Sequence, residues 1–341
     1  MWAVRTPMGL VAALAAAVVG CTAVRADEIT LYATREAHLL EPVTAAFTKA
    51  SGIGVRTVFI ADSLLKRLTA EGEASPADVL LTIGLDKTTQ LADRGLTQAV
   101  ASSEVEQAVP PHLRGGSLQW IALALRPRVV MARKDNLLAA LDYEDLADPR
   151  WRGKLCMRPA LHQNNVALVA AYLAHHGAEA TEAWLNALKA NLAHRPAGKD
   201  NDVIREIAQE TCEIGIGNTV ALAQLRDGRE GGDWRGWAEA VKAVPTAFKS
   251  GGTHVNLTGV AIAKRAPHPA AAKQFIEFLL TPAAQPTFAA AELEYPLLAA
   301  AQRAPILDEI GSFTADPMPI DQIAAHQRAA IALIRKVGFD E

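Results

Sequence analysis

The 341 residues are half apolar and 21% charged, with a formal net charge of −3 and a pI near 6.3. That is core material for about two domains of roughly 100–200 residues each. The sequence holds no basic run, low-complexity tract or fixed-period repeat, which excludes nucleic acid as an expected partner.

The first 26 residues carry Arg5, an apolar stretch from about Met8 to Val19, and small residues before Asp27. This is the pattern of a secretory signal peptide, too short to be read as a membrane-spanning helix. Val24-Arg25-Ala26 fits cleavage after Ala26, whereas Val18-Val19-Gly20-Cys21 resembles a lipobox that would leave Cys21 lipidated. A first strand near Glu28 leaves almost no tether after Cys21, so release into the periplasm after Ala26 is the expectation. Loss of Arg5 and Arg25 reduces 34 basic residues to 32 against 37 acidic ones, a net charge of −5. Two cysteines remain, Cys156 and Cys212. In an exported chain they form one disulfide, worth about 4 kcal/mol in a chain-entropy account, or stay as two buried thiols.

Along the chain, "EITLYA" reads as a strand and is followed by a helix with Leu40, Val43 and Phe47 on one stripe. "GVRTVFI" is a second strand, "SLLKRLTAEGE" a helix, and "ADVLLTI" a third strand whose unbroken apolar run marks it as buried on both faces. This β-α-β-α-β order with short turns predicts an α/β fold with a parallel, doubly wound sheet. Ligands gather at the carboxyl ends of such strands, so the turns at 34–36, 61–63 and 84–86 are expected to line one mouth. "IALALRPRVVMARKD" and "GGTHVNLTGVAIAKRA" are long extended segments bracketing a second α/β unit. That unit holds a strand through Leu155, helices over about 166–175 and 181–191, and the strand "CEIGIGN". Two lobes joined by two crossovers are predicted, residues 27–125 with 256–341 and residues 126–255, with a ligand cleft between them.

The segments "LYATRE", "AEGEASPADVLLTI", "DPRWRGKLCMR", "HHGAEATEAWLNALKANLAHRPAGKDNDV", "GTHVNLTGVAIAK", "EFLLTPAAQ", "EYPL" and "KVGF" follow one another in this order over about 300 residues. Together they resemble the periplasmic ferric-iron substrate-binding proteins of bacterial ABC importers. The resemblance implies a type II periplasmic-binding fold, a hinge, iron in the cleft, an inner-membrane permease with its ATPase as partners, and a disulfide between Cys156 and Cys212. It also implies tyrosine ligands, because Fe(III) is a hard cation suited to phenolate and carboxylate oxygen. Here the sequence departs from the family. Two adjacent tyrosines would follow the turn Gly217-Asn218-Thr219, where Val220 and Ala221 stand. A third would stand at Asn164, and the usual His-Tyr near the N-terminus is Glu36-Ala37.

The expected site is therefore built from other groups. Arg35 and Arg158, one per lobe at strand ends, form a two-sided clamp on an anionic ligand, or else are solvated loop arginines. Glu36 and Asp62 offer hard oxygens, Asp62 alternatively capping the helix after it. His162 ligates, hydrogen-bonds or packs; Glu36 and His162 are the candidate metal ligands. Asn164, Asn218 and Thr219 cap helices with their N–H groups toward the cleft. Arg128 is read as a surface or hinge residue. No nucleophile elbow, phosphate loop or zinc motif occurs, so catalysis is not expected. The expected activity is capture of a small anionic ligand or a ferric chelate by a monomer through lobe closure. An organic solute without iron, or a sensor partner in place of a transporter, are the alternatives.

Overall fold

A computed structural model describes residue 2 and residues 28–341. The signal peptide, Cys21 and the cleavage point after Ala26 lie outside the described residues. Among the described residues no helix is long and apolar enough to cross a membrane.

The chain runs β1 (Glu28–Ala33), α1 (Ala37–Ser51), β2 (Gly54–Phe59), α2 (Leu64–Glu71), β3 (Val79–Ile83), α3 (Leu85–Asp93), β4 (Thr97–Gln98), α4 (Ser103–Ala108) and β5 (Ile121–Arg133). It continues through β6 (Leu141–Asp142), β7 (Leu155–Met157), α5 (Gln163–Asn191), α6 (Asp200–Ala208), β8 (Ile214–Asn218) and α7 (Thr219–Arg226). After β9 (Val241–Val244), β10 (Thr246–Ala247), β11 (Val255–Ala263) and β12 (Tyr295–Pro296), helices carry the chain to its end. The first strands and helices form as their patterns dictate. Leu40, Val43 and Phe47 bury one stripe of α1, and β3 is buried along almost its whole length. α5 joins the two helices expected at 166–175 and 181–191, with a break at Gly177, whose φ of 77° and ψ of 174° are not helical.

The strand order is β2-β1-β3-β11-β5-β8-β7. β1 is parallel to β2 and β3, while β11 is antiparallel to β3 and β5. β8 is antiparallel to β5 and parallel to β7. These directions aim the carboxyl ends of β1, β2 and β3 at those of β7 and β8. β5 belongs to both blocks of sheet: its residues through Pro127 pair with β11, and from Arg128 onward they pair with β8 and β9. The crossover sits at Arg126-Pro127-Arg128, and β11 returns beside it, with Val255 opposite Pro127.

Each side of this crossover is closed by a buried carboxylate. Glu294, fully buried, accepts from Arg35 Nη2 at 2.5 Å, Arg126 Nη1 at 2.5 Å and Thr258 Oγ1 at 2.6 Å. Burial alone would raise its pKa, but Arg35 and Arg126 outweigh it and hold the carboxyl below its usual range. Arg128, also fully buried, reaches Asp200 at 3.2 Å, Asn165 Oδ1 at 2.7 Å and Asn218 Oδ1 at 3.2 Å. It is an interior hub at the crossover and not a surface group.

The tail departs from the expected division of the chain. Residues 256–341 were expected with the first lobe, yet the helix Gln327–Lys336 packs on α5. Lys189 Nζ donates to the Val337 carbonyl at 3.1 Å, and Asp340 accepts from the backbone of Ala160 and Leu161. Asp316 pairs with His175 at 2.7 Å. Anchors between groups more than 100 residues apart leave no local pattern. The cysteines are joined as expected, Cys156 to Cys212 with Cα atoms 5.8 Å apart.

Removing a buried carboxylate strands its cations. Glu294→Ala leaves Arg35 and Arg126 uncompensated and is expected to destabilise the fold by about 3–5 kcal/mol, read as a lower urea midpoint. A loss below about 1 kcal/mol would show that the network does not hold the crossover.

Candidate functional site

The mouth between the two blocks is formed by the turns after β1, β2 and β3 on one side and those after β7 and β8 on the other. The two sides come close together at Gly84. Its φ is 110°, and a Cβ there would lie 2.9 Å from Asp86 Oδ1 and 3.2 Å from Gln163 Nε2, which comes from the opposite block. Only glycine fits that point.

Arg35 does not clamp a ligand. It is 1% exposed, bonded to Glu294 and stacked on Phe288 with its guanidinium carbon 4.6 Å from the ring centroid. Its charge is consumed by a carboxylate 259 positions away, which no inspection of the "LYATRE" turn reveals. Glu36 stands at the start of α1 without a side-chain cap bond and pairs only with His38, at 3.3 Å. Asp62 is exposed and meets Lys87 Nζ at 3.1 Å; the helix after it begins from Ser63, so Asp62 is no cap.

On the other side, Arg158 is mostly buried and sits 3.6 Å from Asp200. Its Nε has no hydrogen-bond partner among the described residues. His162 is the actual cap of α5, its Nδ1 accepting from the Asn164 backbone N–H at 3.2 Å. That bond leaves the proton on Nε2, so the ring presents a donor in place of the lone pair a metal needs. Burial, then the charges of Arg158 and Arg128, push its pKa down to about 4. Asn164 spends only its backbone N–H on that cap. Asn218 opens α7 without capping it; its side chain serves Arg128, and Thr219 Oγ1 reaches the Pro127 carbonyl at 3.5 Å. Val220 and Ala221 are buried.

Three of the four tyrosine hydroxyls are bonded within the fold, and the fourth tyrosine is held by its ring. The Tyr32 hydroxyl bonds Glu71 and Tyr143 bonds the Arg128 carbonyl. Tyr172 stacks on Trp184 at 4.1 Å, and Tyr295 bonds the Gly311 carbonyl. Among the described residues, the one group of three or more His, Cys, Asp or Glu side chains close enough to hold a metal is Cys156, His194 and Glu206. It lies at the amino end of β8, away from the mouth.

The turn at 84–86 was expected in the mouth, but the importance of Asp86 was missed. Asp86 lines a cavity of about 330 Å³ with Thr34, Asp62, Thr82 and Lys87. Its Oδ1 has no hydrogen-bond partner among the described residues. Burial raises its pKa, against the opposing backbone bond and charge of Lys87. The signal available was an acid two residues beyond a glycine in that turn. A second cavity of about 410 Å³ is lined by Thr34, Glu36, Phe59, Ile83, Gln224 and Arg229. Gln224 bonds Glu292 at 2.9 Å, and Arg229 bonds the Ala291 carbonyl at 2.6 Å, so α7 and the loop after it border the mouth. Arg158, His162 and Asn164 line neither cavity; of their segment, Gln163 is the residue brought against the 84–86 turn.

Residues 29–291 match the profile of a family described as bacterial extracellular solute-binding protein. Iron uptake protein A1 of Synechocystis is 32% identical over 316 residues, spanning 92% of this chain and 88% of its own length. A Bordetella ferric binding protein superposes with a TM-score of 0.89 at 44% identity, over 92% of this chain and all of that one. A Trichodesmium protein solved in complex with iron and citrate superposes with a TM-score of 0.88 at 31% identity, over 92% and 99% of the two chains.

The state of His162 can be read directly. Its ring protons should titrate in NMR near pH 4, against about 6.5 for an ordinary histidine. The imidazole is then neutral at pH 7 and becomes cationic only in acid. A midpoint at or above 6.5 would overturn its assignment as a neutral donor beside Arg158.

Proposed function

The chain belongs to the bacterial extracellular solute-binding proteins, in the periplasmic ferric-iron-binding family, and from that premise we propose that it captures iron as a ferric chelate. The observation that carries this reading is that Val220 and Ala221 follow the turn that would present two tyrosines, while the hydroxyls of Tyr32, Tyr143 and Tyr295 are bonded elsewhere in the fold and the Tyr172 ring is stacked on Trp184. Fe(III) needs several anionic oxygens. With no tyrosine at that turn, the cargo supplies most of them itself. A polycarboxylate chelate such as ferric citrate does so and leaves a net anionic surface for the protein to grip. The Trichodesmium relative in complex with iron and citrate supports this choice.

Arg158 pairs with the chelate's carboxylate through its guanidinium, whose partial exposure fits that role. His162 Nε2–H and the Asn164 side-chain amide donate beside it. The first block contributes Glu36 and Asp86, with Lys87 and its partner Asp62 at the rim. Asp86, with a raised pKa, donates a hydrogen bond when protonated and reaches the metal when ionised. The clamp is one-sided, since Arg35 is committed to Glu294.

The two lobes are residues 28–125 with most of 256–312, and residues 126–255 with the tail that packs on them. They close about Arg126-Pro127-Arg128 and the facing strand β11. The closed form then docks on an inner-membrane ABC permease, whose ATPase drives release. The protein works as a periplasmic monomer, without catalysis of its own.

Titration of the purified protein with ferric citrate is expected to raise its melting temperature more than citrate alone does, with no purple-red charge-transfer band. Such a band would place tyrosinate on the iron and overturn the chelate reading, as would the absence of any shift with ferric citrate. Arg158→Ala is expected to weaken chelate binding about 10-fold to 100-fold, the equivalent of about 1.5–3 kcal/mol for a charge-assisted contact. Unchanged affinity would remove Arg158 from the site.

A further inference from the structure

Away from the mouth, His194 and Glu206 bring their ligand atoms to Cys156, which the disulfide joins to Cys212. Cys156 lies on β7 and Cys212 just before β8, bonded to each other. His194 Nε2 is 3.6 Å from Cys156 Sγ and 3.2 Å from Glu206 Oε2. The ligand atoms of Cys156, His194 and Glu206 all lie within 4.8 Å of one another. In a tetrahedral zinc centre, bonds of about 2.3 Å to sulfur and about 2.0–2.2 Å to nitrogen and oxygen give S···N edges of about 3.6 Å and N···O edges of about 3.4 Å. The two measured separations match these edges.

The surroundings suit a metal as well. His194 Nδ1 lies 2.8 Å from the Arg195 carbonyl. A proton on Nδ1 satisfies that contact and, with a cation between them, lets the Nε2 lone pair and the Glu206 carboxylate bind it from two sides. A carbonyl-anchored imidazole is the usual outer support of a histidine ligand. The frame is firm. β7 pairs with β8, Cys156 opposite Gly215, and the backbone N–H of Ala193, next to His194, donates to the Leu155 carbonyl at 2.9 Å. Glu206 stands on α6, which packs on β8. The cysteines are buried, while His194 and Glu206 are partly exposed, which gives an ion a way in.

We propose that this corner is a redox-gated site for a thiolate-binding divalent cation, zinc(II) foremost, closed while the disulfide stands and opened by reduction. A dithiol reductant gives two electrons and two protons; the S–S bond breaks, two thiols form, and the reductant closes its own disulfide. Metal entry releases both thiol protons to solvent. Two thiolates, the neutral His194 Nε2 and the Glu206 carboxylate then complete four-coordination. The sulfurs separate to an S···S edge of about 3.8 Å, given by two bonds of about 2.3 Å at the tetrahedral angle. Metal binding replaces one cross-link between β7 and the start of β8 with another, so the second block keeps its closure in either redox state.

The test uses the full mature chain, oxidised and reduced, titrated with cobalt(II) alone. The reduced protein is expected to bind one equivalent, with the intense visible bands of a tetrahedral centre and near-ultraviolet thiolate charge transfer. The oxidised protein shows neither. His194→Ala and Glu206→Gln, each made separately, should weaken the reduced site at least about 10-fold, which random binding to loose thiols would not show. Melting in the presence of zinc(II) gives a second readout: zinc should restore stability lost on reduction. A reduced protein without these bands, bands unmoved by His194→Ala, or a reduced, unfolded chain that zinc fails to refold would each overturn the proposal.

Discussion

A single strand, β5, meets a buried carboxylate on each side of its midpoint, and the rest of the molecule is arranged around those two meetings. Arg126 reaches Glu294 in the first block, and Arg128, two residues later, reaches Asp200 in the second. Pro127 stands between them, at the point where β5 leaves β11 for β8 and β9. A proline lacks the backbone donor that a continuous ladder needs, so it fits where the ladder changes hands. Buried ion pairs are weak evidence for net stability, because desolvation offsets much of their attraction. Their effect here is registry: each arginine has one carboxylate in reach, and slipping β5 by a residue would leave both arginines without it.

That constraint explains which parts of the sequence were legible. Strands and helices follow from local periodicity, and the β-α-β-α-β start, the two long segments and the turns at strand ends all appear where "EITLYA", "ADVLLTI" and "CEIGIGN" place them. Roles of charges do not follow from local pattern. Arg35 and Arg158 look alike at two strand ends, yet Arg35 lies fully buried beneath a carboxylate from residue 294, while the Arg158 side chain keeps partial exposure. Asp62 looked like a cap and Asp86 like one more turn residue. Burial decides between them: the Asp62 side chain is 89% exposed, whereas Asp86 holds a shielded oxygen without a partner. Contacts across a hundred or more residues set these outcomes, and the same holds for the tail on α5.

The turn Gly217-Asn218-Thr219 shows how a binding scaffold is kept when its usual ligands are missing. Asn218 is tied to Arg128 and, through its backbone, to Asp200. Thr219 touches the carbonyl of Pro127. The turn therefore belongs to the crossover as much as to the cleft, and its geometry is fixed by the buried charges whatever follows it. Val220 and Ala221 sit in a turn that the hub would hold in place in any case.

β8 is secured at both ends by chemistry of different kinds. Its carboxyl end is held by the Arg128 network. Its amino end is held by the Cys156–Cys212 bond, with His194 and Glu206 beside it. Rigid-body closure of two lobes requires that each lobe move without internal shear, since a ligand gripped from both sides senses displacements well below a residue's length. A short strand of five residues cannot supply that stiffness from its ladder alone. Cross-linking one end covalently and pinning the other electrostatically makes β7, β8, α6 and the start of α5 one unit. Arg158 and His162 ride on that unit, so the precision with which they are placed depends on both ends of β8.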